Sequence, residues 1–257
     1  MNLCVHFLKF MKMSAEVFSL NNLSIGYGGK TLLNDVNAKV ALGNFVAVLG
    51  PNGVGKTTLL RTMTGFLPPL SGNVLVWKDG KKRSVYSLSV EECASVVSVV
   101  FSRRLNLSMM SVFDYVAMGQ YRFSDWKGWC GEQRETKVKQ LLSDFQIDGL
   151  TCRNVSELSD GEFQRVEIVR ALAQDTPAIV MDEPTSHLDY WSRREIMGLL
   201  RRTSHEKNVA IIACTHEIDL AMEYCDEFWL MKRGGMFEET KILDREKIER
   251  MFVNLKG

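Results

Sequence analysis

Apolar and polar residues follow two kinds of strand pattern along the chain. Residues 17–25 alternate weakly and residues 36–40 alternate regularly, which predicts two strands, the second of them antiparallel. Short continuous apolar runs are typical of strands buried on both faces of a parallel sheet. Such runs occur at residues 45–49, 178–181 and 209–214. Further strands are predicted at 73–77, 96–101 and 228–231, with 228–231 as the last strand.

Helical spacing of apolar residues alternates with these strands and dominates one stretch of the chain. Helices are predicted at 57–64, 112–118, 136–145, 163–172 and 190–202. The order of elements predicts an α/β fold in one domain, residues 14–257. The core of this domain comprises about residues 14–90 and 161–257. A helical subdomain, about residues 91–160, is inserted into the core. Residues 1–13 are an N-terminal extension.

Composition and charge exclude several classes of protein. The 257 residues are 46% apolar and 25% charged, as in a soluble globular domain, and the net charge of +1 gives no basic field for nucleic acid. No run approaches the roughly 18 apolar residues that span a membrane, so a membrane role must be peripheral.

Residues 1–13 lack the features of a signal peptide, and translation could instead start at Met11 or Met13. Six cysteines without a CxxC pair indicate reduced thiols in a cytosolic protein.

A glycine-rich loop between a predicted strand and a predicted helix has the spacing of a phosphate-binding loop. It comprises Gly50, Pro51, Asn52, Gly53, Val54, Gly55, Lys56, Thr57 and Thr58. Glycines let backbone N–H groups converge on phosphate oxygens, and the helix N-terminus adds partial positive charge. Lys56 can reach the β- and γ-phosphates of ATP, and the Thr57 hydroxyl can bind Mg²⁺. The pattern therefore predicts a nucleotide triphosphate site.

Two carboxylates follow the predicted strand 178–181, and ligands bind at this end of strands in open α/β sheets. Asp182 is predicted to hold Mg²⁺ through water. Glu183 is predicted to polarise the attacking water as a general base, which contributes about 10²–10⁴-fold to rate. A second strand, 209–214, ends just before His216.

A second anion site is predicted where a helix begins. Ser159 and Glu162 form an S-x-x-E capping box, which by itself indicates only a well-capped helix. The same start offers free N–H groups, a hydroxyl and a helix dipole to a γ-phosphate, and Gly161 permits close approach. Asp160 and Glu162 bring negative charge to that position, which is unfavourable beside phosphate unless each carboxylate points away or meets a cation.

In this order the motifs resemble those of the ATP-binding cassette (ABC) ATPases. The resemblance covers about residues 17–252; it rests on the phosphate loop, the signature at 158–162, the segment from Glu183 to Asp189, and His216. It implies a RecA-like P-loop ATPase core with an antiparallel β subdomain and a helical insertion. It also implies a head-to-tail dimer with two ATP molecules, each bound between Lys56 of one copy and Ser159 of the other.

The resemblance assigns roles to further residues. Tyr27 corresponds to the aromatic residue placed against adenine, although a simple turn tyrosine is an alternative. His216 corresponds to the switch histidine that contacts the γ-phosphate, and Asp189 to the residue that crosses the dimer interface. Ser102 stands where family members usually carry a glutamine that touches Mg²⁺, so metal geometry or coupling to the transport partner could differ.

Residues 111–121 with Trp126 and Gly128 resemble importer ATPases for ferric siderophores, haem and cobalamin. This resemblance implies a separate membrane permease, an extracytoplasmic binding protein acting indirectly, and a peripheral location on the cytoplasmic face of the inner membrane. Tyr121, Phe123 and Trp126 are either an exposed docking surface for the permease or part of the interior of the helical subdomain. Alternatives are a soluble ABC ATPase of an assembly system, a regulatory nucleotide binder and an exporter. Intact Glu183 and His216 argue against the regulatory binder.

Overall fold

A computed structural model of the protein describes residues 16–101, 110–123 and 131–253. Ten strands in two sheets lie within these ranges. They are β1 (Glu16–Tyr27), β2 (Lys30–Ala41), β3 (Phe45–Leu49), β4 (Ser71–Lys78), β5 (Lys81–Ser84), β6 (Val97–Val100), β7 (Ala178–Asp182), β8 (Ala210–Cys214), β9 (Glu227–Lys232) and β10 (Met236–Thr240). No helix in the described part of the chain is long and apolar enough to cross a lipid bilayer.

Eight α-helices connect or cover the strands in the described residues. They are α1 (Lys56–Met63), α2 (Val90–Val96), α3 (Val112–Ala117), α4 (Glu132–Asp144), α5 (Asp160–Ala173), α6 (Tyr190–Lys207), α7 (Ile218–Tyr224) and α8 (Arg245–Val253). Short 3₁₀ turns occur at Val85–Ser87, Met118–Phe123, Asp148–Leu150 and Val155–Glu157.

The larger sheet has the strand order β10-β9-β3-β8-β7-β6 and positions the site. Its five strands from β9 to β6 are parallel, and β10 pairs antiparallel with β9 at one edge. Strands β3, β8 and β7 are neighbours, and Cys214 of β8 pairs with both Val48 of β3 and Asp182 of β7. The carboxyl ends of three central strands therefore lie side by side, which is where parallel α/β sheets bind ligands.

The smaller sheet is antiparallel, in the order β2-β1-β4-β5. Strand β3 shows how the two sheets share the interior, because all five of its residues are buried on alternating faces. Phe45, Ala47 and Leu49 pack into a cluster with the helical segments, whereas Val46 and Val48 pack with the antiparallel sheet and α1. The larger sheet is thus the middle layer between a helical layer and an antiparallel sheet.

The α/β architecture is the predicted one, with differences at particular elements. Residues 228–231 are not the last strand, because Met236–Thr240 follows a turn at Gly234 and Gly235. The patterns also do not predict helices α2, α7 and α8. The strand predicted at 96–101 is β6 of the parallel sheet, so this strand of the predicted helical subdomain, about residues 91–160, pairs with the core. The predicted N-terminal extension, residues 1–13, lies outside the described residues.

Candidate active site

The phosphate loop joins the end of β3 to the start of α1. Gly53 and Gly55 have φ angles of 75° and 112°, in the left-handed region that favours glycine. Gly50 needs its hydrogen for a different reason: a Cβ there would lie 2.5 Å from the Met231 carbonyl oxygen. These constraints hold the loop around the N-terminus of α1, so that its N–H groups can converge on an anion.

Two side chains at the start of α1 face the loop and the neighbouring strand end. The Lys56 ammonium donates to the carbonyl oxygens of Gly50 at 2.8 Å and Pro51 at 3.3 Å, and the residue is 8% exposed. The Thr57 hydroxyl donates to the Asp182 carboxylate at 2.7 Å. The loop therefore holds a cation at its centre and two oxygen donors of the type that Mg²⁺ prefers at its edge.

A cavity opens above the loop. Its lining residues are Tyr27, Leu32, Asn52, Gly53, Gly55, Lys56, Thr57, Thr58, Asp182 and Glu183. Tyr27 ends β1, is 46% exposed and lines the cavity, and an aromatic ring there can stack on a planar ligand. The structure thus brings Tyr27 to the same cavity as the phosphate loop.

Glu183 and His216 meet across the ends of β7 and β8. The Glu183 carboxylate lies 2.7 Å from Nδ1 of His216. Glu183 has a left-handed φ of 55°, which is uncommon outside glycine, and its backbone N–H donates to the Cys214 carbonyl at 3.0 Å. The chain turns sharply just after the strand, and this turn directs the carboxylate to the histidine and the cavity.

The signature residues form a separate feature at the start of α5. The Ser159 hydroxyl accepts a bond from the Glu162 N–H at 3.2 Å, and the Glu162 carboxylate accepts one from the Ser159 N–H at 2.8 Å. The bond from the Ser159 N–H to Oε2 of Glu162 lowers the pKa of Glu162. The Arg153 guanidinium lies 3.2 Å from Oε1 of the same carboxylate. The Glu162 carboxylate therefore meets both an N–H donor and a cation, which is the condition under which it is tolerated near an anion.

Asp189 caps helix α6 beside the signature. One carboxylate oxygen accepts bonds from the N–H groups of Trp191 and Ser192, each at 3.0 Å, and the other accepts a bond from the Ser192 hydroxyl at 2.7 Å. Bonds from Ser192 lower the pKa of Asp189 most strongly. Asp189 lines a second cavity with Ser159, Asp160, Gly161 and Glu162. Within one chain, most of the predicted residues therefore line one of two cavities that share no lining residue, whereas Gly50, Pro51, Val54 and His216 are not lining residues of either.

Four other predicted residues have different outcomes. Ser102 and Trp126 lie outside the described residues. Tyr121 is exposed, as a docking surface requires, at 77%. Phe123 is half-buried, and its ring centroid lies 4.3 Å from the Arg122 guanidinium and 3.6 Å from that of Arg134, so this aromatic side chain is mostly covered by cations.

The sequence patterns do not predict a further charged pair near the site. Glu217 follows His216, and its side chain is only 12% exposed and lies 2.9 Å from Arg193. Arg193 also donates from Nε to the Leu188 carbonyl at 2.7 Å. The positions of Arg193 and Glu217 are far apart in sequence, and neither belongs to a short motif that could have indicated the contact.

Comparison with known proteins identifies the class of this site. The family model "ABC transporter" matches residues 33–186. An uncharacterised ABC transporter ATP-binding protein of Methanocaldococcus jannaschii is 36% identical over 90% of this chain and 79% of its own length. A petrobactin import ATP-binding protein of Bacillus anthracis is 30% identical over 86% of this chain and 79% of its own. Other relatives are named for siderophore transport and cobalamin import.

Solved structures agree with this result. A bacterial ABC transporter cassette determined as a dimer superposes with a TM-score of 0.75 at 26% identity, covering 88% of this chain and 99% of that one. Fold and site define a P-loop ATPase. The chain belongs to the ABC transporter ATP-binding family, whose members hydrolyse ATP to power transport.

Proposed function

We propose that this chain is the ATP-hydrolysing subunit of an importer for an iron-siderophore, haem or cobalamin, and that it drives a separate membrane permease. The observation that carries the proposal is the division of the phosphate-loop and signature residues between two cavities, together with relatives named for siderophore, petrobactin and cobalamin import. Its location follows from this role: the cytoplasmic face of the inner membrane, attached through the permease.

The residues at the phosphate loop fit ATP and Mg²⁺. Backbone N–H groups of the phosphate loop, residues 50–58 without Pro51, and the Lys56 ammonium bind the phosphates, and Tyr27 stacks on the adenine. Thr57 would hold Mg²⁺ directly and Asp182 would hold it through water; their oxygens, 2.7 Å apart, are hard donors that suit this ion. When bound, the ion neutralises charge on the phosphates. Ser102 is proposed as a further contact to Mg²⁺, in place of the glutamine of the family.

Glu183 is the proposed general base. It follows Asp182 at the strand end and lines the same cavity as Lys56 and Thr57, where it can act on a water beside the γ-phosphate. His216 contacts the γ-phosphate and, through the 2.7 Å contact, keeps the Glu183 carboxylate directed at that water. When Nδ1 carries a hydrogen, His216 donates this bond to the Glu183 carboxylate and so orients the base.

A second copy of the chain completes each site. Ser159 and the start of α5 have the donors for a γ-phosphate, yet they line a different cavity from Lys56. In the proposed head-to-tail dimer, the signature of one copy lies over the phosphate loop of the other. A bacterial ABC transporter cassette with this fold was determined as a dimer, which supports assembly in pairs. ATP binds the closed dimer more tightly than the open one, and this difference supplies the work of transport.

The experiment uses tagged Glu183→Gln protein, which removes the base but keeps the size of the side chain. Turnover should fall about 10²–10⁴-fold. With ATP the variant should elute as a dimer from size-exclusion chromatography and capture a polytopic membrane protein from detergent-solubilised membranes. Lys56→Ala in the same background is the control, because it should abolish both results by preventing ATP binding.

The outcomes separate the proposal from its alternative. A captured permease identifies the importer and leads to its cargo. A dimer that captures only soluble proteins would overturn the transport role and favour an ABC ATPase of a cytosolic assembly system. A Glu183→Gln protein that stays monomeric at saturating ATP would contradict the clamp itself.

A further inference from the structure

We propose that Arg193 is a positioning residue that ties the dimer-facing loop at Leu188 and Asp189 to the loop that carries His216. This inference rests on the proposed function, since it assigns a route by which closure of the dimer reaches the Glu183 base. It starts from the charged pair of Arg193 and Glu217, which the catalytic roles above do not use.

Arg193 makes two bonds in two directions from one rigid group. Its Nε donates to the Leu188 carbonyl at 2.7 Å, and a terminal guanidinium nitrogen lies 2.9 Å from the Glu217 carboxylate. A guanidinium is planar, so these donors have a fixed geometry relative to each other. Movement of Leu188 is therefore passed to Glu217 rather than absorbed by rotation within the group.

The Glu217 end of this connection is held firmly. Its carboxylate is mostly buried, its N–H donates to the Thr215 hydroxyl at 3.1 Å, and its carbonyl accepts the first bond of α7 from Ala221. His216 lies between Thr215 and Glu217 in sequence. Fixing both neighbours fixes the backbone from which the imidazole reaches Glu183 at 2.7 Å.

The Leu188 end faces the signature of the same chain. A Cβ at Gly161 would lie 3.2 Å from the Leu188 side chain, so α5 begins in close contact with this loop. Arg165 of α5 donates to Ser192 at 3.2 Å, and Ser192 donates to Asp189 at 2.7 Å. A displacement of the signature or of Asp189 by a second copy thus reaches Arg193 through packed and hydrogen-bonded groups.

If Arg193 positions His216, its loss should lower kcat without changing ATP binding. Arg193 lines neither the phosphate loop cavity nor the signature cavity. Its loss should leave ATP binding and dimer formation intact and should misplace His216 at the moment of hydrolysis. A misplacement of about 1 Å can cost about 10²-fold in rate, so a fall in kcat of about 10- to 100-fold is expected for Arg193→Ala.

The test compares Arg193→Ala with Arg194→Ala in the full chain. Arg194 is the matched control, because it adjoins Arg193 on α6 but pairs with Glu223 and lies near Tyr190 and Tyr224. Steady-state ATPase assays should give the reduced kcat for Arg193→Ala alone. Glu217→Gln should match it, and the double variant should lose no more than either single variant, as expected for two residues acting through one contact.

A second measurement distinguishes positioning from simple loss of structure. In the Glu183→Gln background, Arg193→Ala should keep ATP-dependent dimerisation and an ATP affinity within about threefold of its parent. Loss of dimerisation in that background, or a kcat like that of Arg194→Ala, would overturn the role. Failure of Glu183→Gln itself to dimerise would instead contradict the proposed clamp, so the two ideas fail separately.

Discussion

At the scale of single residues, the Ser159 hydroxyl has two roles that can be separated. It caps α5, and in the proposed dimer it also meets a γ-phosphate. Ser89 provides the comparison, because it caps α2 with the same geometry: its hydroxyl accepts from the Glu92 N–H at 3.2 Å, and its own N–H donates to Glu92 at 2.9 Å. Removing either cap should lower the free energy of unfolding by about 1 kcal/mol.

Ser159→Ala and Ser89→Ala should therefore have similar melting temperatures and different responses to ATP. Only Ser159→Ala should weaken ATP-dependent dimerisation of the Glu183→Gln protein, measured as the ATP concentration at half-maximal dimer. Equal ATP dependence in the two variants would mean that Ser159 is a cap and nothing more. Because both substitutions remove the same kind of bond, general destabilisation cannot explain a difference.

The site residues that sequence alone could predict are those that act together with their sequence neighbours. Lys56 and Thr57 follow the glycines that position them, and Glu183 directly follows Asp182. The contact of Glu183 with His216 requires β7 and β8 to be adjacent, which the resemblance implied and residue spacing did not. Arg193 and Glu217 had no such signal, because their contact depends on how α6 packs beside the start of α7.

At the scale of elements, the β9–β10 hairpin carries a pair of acidic side chains facing each other. Glu227 is 3% exposed. Its carboxylate accepts hydrogen bonds from the Asn44 side-chain amide at 3.4 Å and from the Trp229 indole N–H at 3.3 Å. Burial and the Glu227 carboxylate raise the pKa of Glu239 to about 8, against the opposing effect of Lys241. The hairpin is thus most stable with Glu239 protonated.

The sign of the pH effect follows from this raised pKa. Between about pH 4.5 and 8 the folded chain keeps a proton on Glu239 that the unfolded chain has lost, so the free energy of unfolding falls as pH rises through this window. Glu239→Gln stays neutral and should flatten that part of the dependence. Thermal unfolding at several pH values measures it, with Glu238→Gln as the control, since Glu238 pairs with Lys232 instead. If the free energy of unfolding changed with pH in the same way for wild type and Glu239→Gln, the raised pKa of Glu239 would be refuted.

The same hairpin shows why some elements escape prediction. Strand β10 has the sequence Met-Phe-Glu-Glu-Thr at the edge of the sheet, where only Phe237 packs against Trp229, with ring centroids 5.6 Å apart. An edge strand needs few apolar residues, so alternation is too weak to identify it. Central strand β3 is predicted with its observed bounds, because five consecutive apolar residues are typical of a strand that is buried on both faces.

At the scale of the whole molecule, the two cavities of one chain make a test of head-to-tail assembly. Lys56→Ala removes the phosphate cation from one cavity. Gly161→Asp places a carboxylate at the start of α5 in the other, opposite a γ-phosphate. A homodimer of either variant has two defective sites, whereas a hybrid dimer has one site with both defects and one site with neither.

Mixing the two inactive proteins should therefore restore ATPase activity. With random pairing, half of the dimers are hybrids with one of two sites intact, so about a quarter of wild-type activity is expected if the sites act independently. Each variant mixed with itself is the control and should stay inactive. If both cavities served a site within a single chain, no mixture could recover activity, because every chain would carry a defect. Recovery thus requires that the phosphate loop of one copy works with the signature of another, the arrangement in which Arg193 would connect two active sites across the dimer.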